Sequence, residues 1–210
     1  MKTSLQLPTC TGKYCCLIPL SADEMVDDLF AAAQSDDRFW QYMPYGPFKN
    51  SGEMQAWLLS MQNSSSDFIF GVKHNTSNHF VGMCGYLAHV PDHRRIEIGH
   101  VWYGREAQKT KINTEATYLL LKYAFETLNY RRAEWKCHSA NTESERTALR
   151  MGFVFEGLFR NHMWVKHQSR DTKYFAMIDS EWPKHRSDFE KYFNSEGMSL
   201  TVLKNSSKGG

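Results

Sequence analysis

Residues 95–128 (RIEIGHVWYGREAQKTKINTEATYLLLKYAFETL) constrain the fold more than any other stretch of this chain. A strand-like run at 96–103 leads through a short polar loop into a helix opening at about Thr114. A strand, a tight turn and a helix N-terminus gather unpaired backbone N–H groups at one point. With the positive end of the helix dipole, that arrangement favours an anion such as phosphate.

The helix carries Ala116, Leu119, Leu120, Tyr123 and Ala124 on one face, and Leu121, Phe125 and Leu128 widen the arc. An apolar arc this wide packs on a sheet. Residues 132–138 (RAEWKCH) read as the next strand, so strand, helix and strand imply a right-handed parallel crossover. In the first strand Glu97, Gly99, Val101 and Tyr103 share one face of a regular alternation, with Ile96, Ile98, His100 and Trp102 on the other. Gly99 inside that strand marks a bulge or a close backbone approach, and a bulge would move His100 off its regular face.

Upstream, residues 13–19 form a first strand after an irregular segment at 1–12. Ser21 and Glu24 suggest a capping box, and Met25 or Val26, Leu29, Phe30 and Ala33 follow at helical spacing. The stretch 35–49 is rich in aromatic residues and broken by Pro44, Gly46 and Pro47, which argues against a regular element. Any one of its rings could pack as satellite core; together Trp40, Met43, Tyr45 and Phe48 read as the wall of a ligand pocket. Asn50 and Glu53 cap a second helix with Met54, Trp57, Leu58 and Met61 on its apolar face. Residues 67–73 and 80–90 are two strands joined by a turn-rich 74–79, antiparallel to each other and to the strand after Pro91.

Downstream, residues 141–151 form a short helix, with Thr142 and Glu145 as its capping box and Gly152 as its αL stop. Residues 153–165 and 171–178 read as a hairpin turned at 167–170. Trp182-Pro183 ends the last strand. Ser187 and Glu190 open a small final helix ending near Phe193, and the tail 204–210 is polar and loose.

At 210 residues with 41% hydrophobic content, the chain can bury a full core in a single domain over 1–210. A formal charge of +2 is too balanced to argue for nucleic acid or a membrane surface. Five cysteines without a CxxC pair argue against a disulfide framework and a structural zinc site. The nine histidines form no recognisable metal-binding motif, so no metal site is expected. Cys137 and His138 are adjacent on a strand and point to opposite faces, which excludes a thiol–imidazole dyad. Residues 1–19 show no secretory leader, and no apolar run reaches transmembrane length. The expected setting is a cytoplasmic one.

The element order resembles the GNAT superfamily of acetyl-CoA-dependent N-acetyltransferases. The runs FWQYMPYGPF, IEIGH, INTEATYLLL and RRAEWKCHSANTESERTALRMGFVFEG, with RDT and EWP, are similar to the RimJ/RimL-like branch and within it to a bacterial and fungal subgroup. The similarity spans roughly residues 17–203. It implies an α/β (α+β) fold, a mixed central sheet of about seven strands flanked by about four helices.

It also implies a pyrophosphate loop of the pattern Q/R-x-x-G-x-G/A on Gln108, Lys109, Thr110, Lys111, Ile112 and Asn113. Gln108 matches; Lys111 and Asn113 replace residues that let a backbone wrap phosphates closely. By the same resemblance, acetyl-CoA is the co-substrate. It is held by Val101, Trp102 and Tyr103, by the loop through Thr114, and by Asn141 and Ser144 of an N-x-x-S pattern whose plain alternative is helix capping.

Acetyl transfer to an amine needs a base, an acid for the leaving thiolate and donors for the carbonyl. The family often places a carboxylate on the central strand, which makes Glu97 the candidate base; the alternative is a structural pair with Arg94, Arg95 or Arg132. Many relatives use a tyrosine as acid where this chain has Ala148, so that role cannot be carried over, and Tyr103 or a water is the substitute. The acceptor is expected between the aromatic loop and the central strand, near His100: a primary amine of a small molecule or a peptide or protein N-terminus. The protein is expected to be a monomer or homodimer. The reading from another class is a CoA-binding regulatory or interaction module without catalysis.

Overall fold

The computed structural model describes residues 5–35, 37–195 and 199–200. The tail expected to be loose, 204–210, and the first four residues of the segment expected to be irregular lie outside the described residues. The chain forms two compact units, Met1–Leu120 and Leu121–Gly210.

The first unit is a five-stranded antiparallel sheet with helices. Its strands are β1 (Cys10–Thr11), β2 (Cys15–Pro19), β3 (Phe68–His74), β4 (Phe80–Val90) and β5 (Arg95–Tyr103), hydrogen-bonded in that order. β1 lies inside the segment expected to be irregular. It exists because Cys10 and Thr11 pair with Leu17 and Cys16, a partner no local pattern announces. It makes eight strands where about seven were expected.

Helix α1 (Ala22–Ala33) and helix α2 (Ser51–Gln62) share a core with one face of this sheet. Met25, Leu29, Met54 and Leu58 are fully buried there with Ile69 and Met83. Removing each such side chain from water stabilises by ~1.5–3 kcal/mol. Gly71 is bare because the Met25 sulfur occupies the space a Cβ would need. The Asn50 cap holds: its Oδ1 accepts the Glu53 N–H at 2.9 Å, while the Glu53 carboxylate accepts from Lys49 N–H at 2.8 Å.

The Ser21 capping box does not form. The Ala22 N–H donates instead to Gln62 Oε1 at 2.7 Å, so the last residue of α2 caps the first turn of α1. The aromatic loop is not wholly irregular either: Asp37–Tyr42 winds into a 3₁₀ turn, complete before the first proline. Helix α3 (Ile112–Lys122) starts two residues ahead of Thr114 and continues as a π turn over Tyr123–Thr127, with Leu128 N–H on Tyr123 O at 3.0 Å.

The second unit contains β6 (Arg132–His138), helix α4 (Thr142–Met151), β7 (Val154–Val165), β8 (Gln168–Ile178) and helix α5 (Trp182–Asn194). Its strands run antiparallel in the order β6-β8-β7. Gly152 stops α4 at φ 104°, as expected. The helix cap is Asn141 rather than Thr142, because the Asn141 side chain reaches the Ser144 N–H. The hairpin turns tightly on Lys166 and His167, both at positive φ, so β8 begins at Gln168 and not Asp171.

Trp182-Pro183 opens a helix instead of ending a strand. Proline is tolerated in a first turn, where its missing N–H had no partner to lose. Trp182 Nε1–H donates to Glu126 at 2.9 Å and its ring stacks on Phe125 at 5.5 Å. Ser187 therefore lies inside α5 and caps nothing.

Candidate active site

The site of interest in the first unit begins with a defect in β5. Gly85 pairs with Gly99 and Met83 with Trp102. One residue of β4, Cys84, therefore faces two of β5, His100 and Val101. This is a β-bulge, and His100 sits at φ +53° to make it. Neither His100 nor Val101 has a paired residue on β4.

The bulge overturns the regular alternation. Met83 and Gly85 lie on one face, so their partners Trp102 and Gly99 do too. Trp102 thus joins the α1–α2 core, 5.3 Å from Trp40 between ring centroids, and leaves the face of Ile96 and Ile98. Glu97, opposite Leu87, is half-buried and projects to the same face as Gly99.

His100 meets the aromatic loop. Its ring stacks on Tyr45 at 5.5 Å and 27°, and Nδ1 lies 3.0 Å from the Tyr45 hydroxyl. Tyr45 also packs on Trp57 at 4.2 Å. The expected pocket residues divide by depth. Trp40 and Phe48 are 1% and 7% exposed, inside the core, whereas Met43 and Tyr45 are only partly buried against it.

His100 Nε2 is buried without a hydrogen-bond partner. Burial lowers the His100 pKa, with Asp67 pulling it partly back, so the imidazole is neutral at neutral pH. If the Tyr45 hydroxyl donates to Nδ1, the proton resides on Nε2 and a single donor is left without an acceptor. The opposite tautomer leaves the phenol hydrogen and the Nε2 lone pair both unmatched. The first arrangement costs less, because every buried unmatched polar group is penalised. The Tyr103 hydroxyl, at the end of β5, is likewise buried without a partner. Burial, with the Cys84 and Cys15 thiols close by, raises its pKa well above the ordinary value and keeps the phenol protonated.

The loop after β5 is tied at both ends. Gln108 Nε2–H donates to the Tyr103 carbonyl at 3.0 Å. Thr110 Oγ1 donates to Ala107 O at 2.7 Å and accepts the Ile112 N–H at 3.2 Å, capping α3. The left-handed residue of this loop is Lys109, at φ +60°; Lys111 and Asn113 are not at positive φ. The two departures from glycine therefore cost no backbone strain. Trp102, Ile112 and Thr114 are buried, so the structure presents none of their side chains to a ligand.

The sequence reading missed the residue that fixes this corner. Glu115, 3% exposed in the first turn of α3, accepts the N–H groups of Lys13, Tyr14 and Cys15 at 2.7, 2.6 and 2.8 Å. Three charge-assisted bonds clamp the start of β2 to the start of α3. The Lys111 and Lys13 ammonium groups both lie near the Tyr14 ring, at 5.3 and 5.4 Å from its centroid. The available signal was an acid among buried first-turn positions.

In the second unit, Asn141 Oδ1 accepts the Ser144 N–H at 3.0 Å and Ser144 Oγ accepts Trp135 Nε1–H at 3.0 Å. Both side-chain oxygens have local structural work. Ala148 is fully buried. Arg132, weighed above as a partner for Glu97, donates to Glu134 at 2.9 Å and to both oxygens of Glu156. His138 Nδ1 accepts the Ala140 N–H at 3.0 Å, so it is oriented by the turn that follows β6. Among the described residues, no cluster of three or more His, Cys, Asp or Glu side chains could hold a metal ion, and no helix is long and apolar enough to cross a membrane.

Known proteins are similar to this chain in sequence and fold. The family model described as "Acetyltransferase (GNAT) domain" matches residues 15–154. A crystal structure of a GCN5-related N-acetyltransferase from Brucella melitensis is 32% identical, covers 96% of each chain and superposes with a TM-score of 0.92. The uncharacterized N-acetyltransferase p20 of Bacillus licheniformis is 27% identical over 160 residues, 74% of this chain and 88% of that one. The ribosomal-protein-serine acetyltransferase of Escherichia coli (strain K12) is 28% identical over 102 residues, 48% of this chain and 56% of that protein. A family model spanning residues 15–154 and a relative matched along nearly its whole length lead to one conclusion: this chain belongs to the GNAT acetyltransferase family.

Proposed function

We propose that the protein transfers an acetyl group from acetyl-CoA directly to a primary amine of a small molecule or of a peptide or protein N-terminus. The observation that carries this reading is the bulge at His100–Val101, where neither residue has a register partner on β4, on the strand that leads into α3. In the proposed reaction a backbone N–H at this bulge, fixed beforehand, polarises the thioester carbonyl as negative charge develops on its oxygen. Acetyl-CoA supplies the activated acyl group.

The residues present suit its phosphates. The positive end of the α3 dipole faces the loop, Lys109 and Lys111 add positive charge, and Thr110 and Gln108 hold the loop in place. Glu97, on the face of Gly99, is the proposed proton acceptor from the amine. Neutral His100, with its proton on Nε2, is the proposed donor to an oxygen of the bound substrates.

A CoA-binding module without catalysis rests on Ala148 and on the missing loop glycines. The second of these loses force, because neither position needs a glycine conformation.

Thermal unfolding with acetyl-CoA, CoA or ATP tests the cofactor site. A ligand at about a hundred times its Kd adds ~2.7 kcal/mol, a shift on the order of 5–10 °C for a chain this long. A shift with both CoA species and none with ATP is expected; no shift with either would end the reading. Release of free CoA in the presence of an amine panel then separates an enzyme from a silent binder. Unchanged turnover in Glu97→Gln would remove Glu97 as base.

A further inference from the structure

Two lysines of the first unit meet over one aromatic ring. The ammonium groups of Lys13 and Lys111 lie 5.4 and 5.3 Å from the centroid of Tyr14. Lys13 stands just before β2 and Lys111 just before α3, so the pair comes from distant parts of the chain. Like charges repel, and two lysines do not gather by their own interaction. Two features hold them together here. The Glu115 carboxylate accepts the Lys13 and Tyr14 N–H groups, while the Glu115 N–H donates to Lys111 O at 2.9 Å. The backbones of both lysines are thereby tied to one residue of α3. The Tyr14 ring, fixed by the same clamp, then attracts both cations.

The Glu115 carboxylate cannot also neutralise the pair. It is 3% exposed and already accepts three backbone N–H groups. Lys13 is exposed, and among the described residues no carboxylate pairs with its ammonium group. A fixed pair of cations beside a phosphate-type loop calls for an anion of more than one charge.

We propose that Lys13, together with Lys111, binds the 3′-phosphate of CoA and makes the protein select CoA over 3′-dephospho-CoA. This inference rests on the acetyl-CoA reading above. CoA presents two kinds of phosphate. Each phosphate of its pyrophosphate carries a single charge, which suits backbone N–H groups at a helix start. The 3′-phosphate is a terminal monoester with three free oxygens and a charge of about −1.5 to −2 at neutral pH. Two ammonium groups from different segments balance that charge, each donating to a different oxygen. Lys13 belongs to neither the loop nor the helix assigned to the pyrophosphate, which leaves it for the phosphate on the neighbouring ribose. Tyr14 holds both lysine stems before binding, so less side-chain freedom is lost when the phosphate arrives.

Isothermal titration calorimetry of the full chain with CoA and with 3′-dephospho-CoA tests this. The unaltered protein should bind CoA at least about tenfold more tightly, the size of one charge-assisted hydrogen bond. Lys13→Gln should weaken CoA by about that factor, leave 3′-dephospho-CoA within about twofold, and so erase the preference. Lys13→Arg keeps the charge and should keep the preference. Lys73→Gln, which removes a lysine 5.7 Å from the Phe80 ring centroid, should bind both ligands as the unaltered protein does. The clamp uses the Lys13 backbone N–H and not its side chain, so Lys13→Gln leaves the clamp in place. Equal affinity of the unaltered protein for the two ligands would overturn the inference and leave acetyl-CoA as co-substrate. So would equal weakening of both ligands in Lys13→Gln, or a preference that survives that change. Binding of neither ligand by the unaltered protein would end the inference together with the reading it rests on.

Discussion

The starts of α3 and α4 look alike in sequence and differ in structure. Each has an acidic residue in its first turn, Glu115 and Glu145, and a polar residue placed to cap. At α4 the cap is local: Asn141 accepts the Ser144 N–H, and half-exposed Glu145 pairs with Lys173 at 2.7 Å. At α3 the cap is Thr110, and Glu115 turns inward to bind three backbone N–H groups about a hundred residues earlier in the chain. An acid at a helix start can thus be a surface charge or a tertiary clamp. Burial decides which, because a carboxylate withdrawn from water must find donors elsewhere.

The largest expected effect follows from that clamp. Glu115→Ala leaves buried N–H groups without an acceptor and should cost about 3 kcal/mol or more in urea unfolding. A loss below the level of an ordinary surface substitution would show that the clamp does not hold the fold. Asn141→Ala should cost about 1 kcal/mol, the usual worth of an N-cap. Asn141→Ser keeps a capping oxygen and should restore stability. If CoA affinity still falls in Asn141→Ser, the residue binds ligand as well as capping, and the contrast between the two helix starts narrows. Glu145→Ala should cost less than about 1 kcal/mol and lose even that in high salt, as a solvent-screened pair does. A larger cost would place Glu145 with Glu115.

The finest distinction is in pH. A histidine whose pKa is lowered by burial binds fewer protons folded than unfolded, so stability rises with pH across that interval. For His100 the stabilisation is present above its unfolded pKa, near 6.5, and falls as the pH drops below that value. Tyr45 and Asp67 are the ionisable groups bearing on it. The slope of Tm against pH below about 6.5 should be shallower in His100→Gln than in the unaltered protein. Equal slopes would show that His100 is not held neutral.

Much of this was legible from local pattern. The apolar spacing of α1 and α2, the Asn50 cap, the Gly152 stop and the antiparallel run of β3, β4 and β5 depend on neighbours within a few residues. The aromatic loop could be recognised as a group, but its division into buried Trp40 and Phe48 and the part-exposed Tyr45 depends on how far each ring reaches into the α1–α2 core. The start of α5 was misread because Trp-Pro ends a strand or opens a helix equally well. The choice was made by Glu126 and Phe125, which receive the indole.

The sequence by itself determined most helices and every strand but β1, the family and the bulge-prone Gly99, since these follow from periodicity, turn chemistry and recurring runs. The tertiary structure alone decided which face carries Trp102, which atom of His100 meets Tyr45, and what Glu115 holds. A single extra residue in β5 reverses every side chain after it, and a buried carboxylate is satisfied by whichever donors the fold brings within reach.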